Sequence, residues 1–194
     1  MKRLNLFLSF VLIISLIACD RNNLEPGPQI EPPLVALQYD GPNQTAPSLA
    51  GGTYEGSVRF RSNQLANIVD GKLTDVYFYI MEKPQSVSVK IYEGSENTGP
   101  RDLVYSAGVT SAVTGNSWNQ HTLSNPLNIS GEDLWIAVKF SHTNQAQTLG
   151  CDPGPNQPNG DWLLDESDNQ WLTFGNRAAG ASINWNIRAA VDVD

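Results

Sequence analysis

The sequence predicts an all-β fold, an antiparallel, jelly-roll-like β-sandwich, and three observations carry that expectation. From Thr53 onward, apolar and polar residues alternate with the period of two that marks half-buried strands. Clusters of Gly, Pro, Asn and Asp ("DGK", "EKPQ", "GSENTGP", "TGN", "SNP", "SGED") interrupt the alternation at short intervals. Only "SNQLANIVDG" (62–71) suits a helical turn. Many short strands with little helix bury their apolar faces best as two packed antiparallel sheets.

The elements before the sandwich have a different character. Lys2 and Arg3 form a positive start, and Leu4 to Ala18 is apolar apart from Asn5, Ser9 and Ser15. That run is shorter than the ~20 apolar residues of a membrane span and has the size of a signal-peptide core. Leu16-Ile17-Ala18-Cys19 then matches a bacterial lipobox. The expectation is a lipoprotein signal over 1–18, cut before Cys19, whose thiol and new amine carry acyl chains. Each buried CH₂ contributes ~0.8 kcal/mol, so several chains anchor stably in membrane lipid. The expected location is the cell envelope, at the outer membrane or cell surface, although Asp20 after the cysteine leaves inner versus outer membrane open. Residues 19–52, with "LEPGPQIEPPLVALQYDGPNQTAP", have the composition of an extended tether, within which Leu34 to Leu37 could add an edge strand.

The predicted sandwich domain covers 53–194. Its strands are "YEGSVRFR" (54–61), "LTDVYFYIM" (73–81), "SVSVKIY" (86–92), "LVYSA" (103–107), "SWNQHTL" (117–123), "DLWIAVKFSH" (133–142), "DWLLD" (161–165), "QWLTF" (170–174) and "NWNIRAAV" (184–191). Side chains alternate across a strand, so the inward sets are Val76, Phe78 and Ile80; Val87, Val89 and Ile91; Leu134, Ile136, Val138 and Phe140; and Trp185, Ile187, Ala189 and Val191. Tyr77, Tyr79, Lys90, Tyr92, Trp135, Lys139 and Arg188 fall on the opposite faces.

Composition narrows the function. A net charge of −8 argues against nucleic acid as a partner. Of the two cysteines, lipidation takes Cys19 and leaves Cys151 unpaired, so no intrachain disulfide is expected. The sequence has no nucleophile elbow, zinc-protease motif, phosphate loop or dinucleotide fingerprint, and no cofactor or catalytic residue is assigned. Asp161, Asp165, Glu166 and Asp168 cluster as acid–base candidates, but acidic turns beside strands are commonly only solvated, and a hydrolase is the least favoured class. The long loop 143–162 offers Asp152 and Asp161 as calcium ligands. It also fits a rigid cover over a sheet face with Cys151 as a buried plug, and the cover is preferred, with no metal site assigned. Tyr77, Tyr79, Trp135 and Trp162 are the candidate ligand-binding residues, because aromatics on a polar face need either a covering loop or a ligand such as a glycan. The covered arrangement is expected for Trp135.

Several blocks resemble a known domain: "GKLTDVYFYIMEKPQSVSVKIYEG", "LVYSAGVT", "NSWNQHTLSNPLNISGEDLWIAVKF", "GCDPGPNQPNGDWLL" and "NWNIRAAV". Together they are similar to a β-sandwich domain of Bacteroidota-type cell-envelope proteins, found on secreted peptidases, adhesins and lipoproteins. The resemblance spans about 53–191. It implies a non-catalytic interaction or adhesion module with a glycan or protein ligand, and no catalytic residues to carry over. The alternative expectation is a carbohydrate-binding lipoprotein using exposed aromatics.

Overall fold

The computed structural model describes residues 27–31, 34–96 and 98–193, and the expected signal and Cys19 lie outside them. The elements are β1 (Val35–Leu37), β2 (Ser48–Leu49), β3 (Gly52–Phe60), α1 (Ser62–Leu65), β4 (Lys72–Ile80), β5 (Ser86–Glu96), β6 (Gly99–Gly108), β7 (Ser117–Asn128), β8 (Leu134–His142), β9 (Ala146–Gln147), β10 (Trp162–Asp165), β11 (Gln170–Thr173), α2 (Phe174–Arg177) and β12 (Ile187–Asp192). They form an all-β sandwich. One sheet has four strands in the order β1-β12-β4-β7, the other six in the order β11-β10-β3-β8-β5-β6, and a short β2-β9 pair lies beside them. All strand pairs are antiparallel.

The core forms where alternation predicts it. The inward sets of β4, β5, β8 and β12 are all buried, and Trp185, just before β12, is buried with them. Val58, Phe60 and Leu163 join from the six-stranded sheet, and Leu123 from β7. Backbone crossing also fixes sequence. A Cβ on Gly51 would lie 2.2 Å from the Thr143 carbonyl oxygen, so the chain entering β3 can pass the end of β8 only as glycine.

The expected tether differs from the structure at its domain end. Residues from Val35 onward are built into the fold well before Thr53. β1 pairs with β12 and covers that edge. Asp40 is 5% exposed and Ala46 1% exposed. The physical reason lies on β12, where Arg188 is 4% exposed and needs a counter-charge. Asp40 supplies it, accepting from the Arg188 Nε at 3.1 Å and Nη2 at 3.0 Å.

Candidate functional site

Strand register separates the four candidate aromatics onto two faces. Tyr77 pairs with Gln120 and Arg188, and Tyr79 with Trp118, which puts both tyrosines on the outer face of the four-stranded sheet. Trp135 pairs with Arg59 and Tyr92, and Trp162 with Ser57, on the outer face of the six-stranded sheet. The four residues are therefore not brought together.

Trp135 has no exposure. Its ring lies 5.1 Å from Trp162 and 5.9 Å from Trp171, with the Arg59 guanidinium 5.3 Å from its centroid. Its Nε1 donates to the Ser95 hydroxyl at 2.8 Å, which donates in turn to Asp133 at 2.8 Å. Asp133 also accepts from Arg59 and from the Ser62 backbone N–H. Burial raises the Asp133 carboxyl, but these donors outweigh it and hold the group below the usual carboxylate range. The cover over Trp135 comes from the β10–β11 hairpin. Of the long loop 143–162, its last residue, Trp162, packs on the ring.

The loop instead covers Tyr79. The Gly150 backbone packs so closely that a Cβ there would be 2.9 Å from the Tyr79 Cβ, and Gly150 N–H donates to Tyr79 O at 2.9 Å. Tyr79 is 2% exposed, its hydroxyl donates to Asn116, and Trp118 meets it edge-on. Tyr77 is half-buried. Cys151, 1% exposed, bridges to Thr45 and Trp185 through its backbone, and its thiol is pushed up to about 12 by burial and by Asp152.

The acidic residues are engaged in structural bonds. Asp152 accepts from the backbone N–H of Gly41, Gly154 and Asn184 and from the Asn184 amide, so its carboxylate pins the loop. Asp161 accepts from Gly175 N–H, and burial raises its pKa. Asp165 caps the hairpin turn at Ser167, Glu166 pairs with Lys139, and Asp168 pairs with Arg177 at 2.9 Å. Among the described residues no group of three or more His, Cys, Asp or Glu is placed to hold a metal ion. Glu55, fully buried, accepts from Tyr92 at 2.6 Å and Lys90 at 2.9 Å. Burial first, and Glu55 second, push the Tyr92 hydroxyl far above its ordinary range, so it stays a donor.

Clefts open on this framework among the described residues. One, of about 230 Å³, is lined by Thr98, Asn169, Gln170, Trp171 and Leu172 at the β10–β11 hairpin. Another, of about 290 Å³, lies between Tyr39, Arg61 and Gln64 on one side and Gln157 and Asn159 on the other. The candidate ligand-binding residues read from the sequence include none of the first group. The available signal was two amides in a turn immediately before a tryptophan on a short strand.

No protein-family model matches the chain, and no curated protein matches it. Among solved structures it is similar in fold to the clostridial cysteine protease Cwp84 after propeptide cleavage, with TM-score 0.61 and 11% identity over 86% of this chain. A second similar structure contains the cysteine protease and lectin-like domains of Cwp84, a surface layer associated protein of Clostridium difficile, with TM-score 0.53 and 11% identity over 78% of this chain. The chain spans 42% and 36% of those two solved chains, and at this identity the likeness is one of fold.

Proposed function

We propose that this protein is a non-catalytic binding module of the cell envelope, held to the membrane by an acylated Cys19 and displaying its sandwich at the cell surface. The observation that carries the non-catalytic reading is that the candidate reactive groups are committed elsewhere. The Cys151 thiol is buried and pushed up to about 12, far from the thiolate a nucleophile needs. His121 meets the Tyr105 hydroxyl at 2.8 Å, and the His142 Nδ1 meets the Asn144 carbonyl at 2.7 Å. The acidic residues near the hairpin hold turns and loops together. The surface role draws support from the lipobox and from the fold likeness to a protein described as surface layer associated, with a lectin-like domain.

Metabolic labelling with an alkyne fatty acid tests the anchor. Wild type is expected to take up label and sediment with membranes, and Cys19→Ser to lose the label and accumulate as precursor. Equal labelling of the two proteins would remove the lipid-anchor reading.

A further inference from the structure

We infer that the cleft beside Trp171 binds a neutral sugar ring, a pyranose unit of an uncharged glycan, with the indole as its platform. The inference deepens the reading of a binding module and rests on it only in that a ligand exists.

The platform is built before any ligand arrives. Trp171 stands on β11, at the edge of the six-stranded sheet. It is backed by Trp135 at 5.9 Å and meets Tyr92 edge-on at 6.5 Å. Gly99 is part of the same device, because a Cβ there would lie 2.6 Å from the Trp171 Cδ1. Holding the ring in place removes the rotamer entropy that a mobile surface tryptophan would lose on binding. Trp171 is half-buried, so part of the indole is left to line the cleft.

The turn that carries the polar groups is equally fixed. Asn169 sits at φ 53°, its N–H donating to Asp165 O at 2.9 Å, and Gln170 N–H donates to Asp168. Arg177 then clamps Asp168 through both carboxylate oxygens. The backbone is thus tied down, whereas the Asn169 and Gln170 side-chain amides and the Thr98 hydroxyl make no hydrogen bond among the described residues. These are uncharged groups that donate and accept, as sugar hydroxyls do. A pyranose also offers a face of C–H groups, which packs on the negative face of an aromatic ring. Among the described residues the cleft lining contains no charged group, and the chain as a whole carries −8, so anionic glycans are disfavoured.

The test uses the full chain in a sugar-free zwitterionic detergent, applied to immobilised neutral oligomers of glucose, galactose, mannose and N-acetylglucosamine and to matched sulfated and uronic-acid oligomers. Binding to at least one neutral series is expected, with little or none to the anionic ones. Trp171→Ala should weaken it about thirtyfold or more, as loss of a central aromatic anchor does. Because Trp171 also packs on Trp135, Asn169→Gly, which keeps φ 53° without strain, and Gln170→Ala provide the second arm. Their side chains support nothing else, so the fold should be unaffected while binding falls about tenfold. Binding to no neutral series, preference for the anionic ones, or neutral binding untouched by all three substitutions would each overturn the inference. None of these outcomes bears on fatty-acid labelling of Cys19, so the two proposals fail separately.

Discussion

Trp135 and Ile136 are sequence neighbours on opposite faces of β8, and both are fully buried. Ile136→Ala removes core contacts and should cost ~2–5 kcal/mol, and Trp135→Ala should cost ~3–5 kcal/mol, because it empties the space beneath Trp162 and Trp171. It also takes the indole donor away from the Ser95 hydroxyl oxygen. Chemical denaturation of the two variants side by side checks this, and an unaffected Trp135→Ala would contradict the packing described above. His121 offers a pH test at the same scale. Burial lowers its pKa below the ordinary 6.5, against an opposing pull from Asp75. With the proton on Nδ1, the Tyr105 hydroxyl donates to Nε2. A lowered histidine stabilises the fold fully above the unfolded value and loses that contribution as pH falls through the folded one. Wild type should therefore lose stability below pH 6.5 faster than His121→Gln does, and parallel stability curves would exclude the effect.

At the scale of elements, the segment 35–52 matters most. A chain beginning at Thr53 lacks β1, which covers the β12 edge, and lacks Asp40, which pairs with Arg188. Losing one partner of a buried pair costs ~3–5 kcal/mol. A chain beginning at Gly27 should fold cooperatively, whereas one beginning at Thr53 should melt far lower or fail to fold, as circular dichroism would show. Equal melting of the two would place the boundary at Thr53 after all. The long strands were legible because each buries one face, and alternation records that directly. "SVSVKIY" and "DLWIAVKF" became β5 and β8 with the expected residues inward, and Leu34 to Leu37 did yield an edge strand. The β2-β9 pair was not legible, because two residues are too few to show a period. The extent of the tether was misread because its proline-rich composition hid Asp40, whose partner lies 148 positions away.

At the scale of the whole molecule, the difficulty was to know which outer face each strand shares. Alternation tells inside from outside on one strand but not which strands pair, so Tyr77 and Tyr79 were grouped with Trp135 and Trp162 although the sandwich separates them. The same architecture gives the molecule a polarity. Gly27 lies against the Arg188 guanidinium, and Pro28 O accepts from it at 3.0 Å, so the chain reaches the domain over the outer face of the four-stranded sheet. The stretch from Cys19 to Gly27 can reach ~30 Å at most. β5 alone, with 11 residues, runs ~36 Å at strand rise. A lipidated Cys19, as proposed, then holds the four-stranded face near the bilayer and turns the Trp171 cleft away from it. Thr122, exposed on β7, and Ser86, exposed at the start of β5, report on the two faces. Each can be replaced by cysteine and labelled without interference from buried Cys151. In liposomes carrying a headgroup quencher, a fluorophore at Thr122→Cys should be quenched more than one at Ser86→Cys, and a long Gly/Ser insertion between Cys19 and Gly27 should erase the difference. Equal quenching with the native tether would mean that the short connection does not orient the domain.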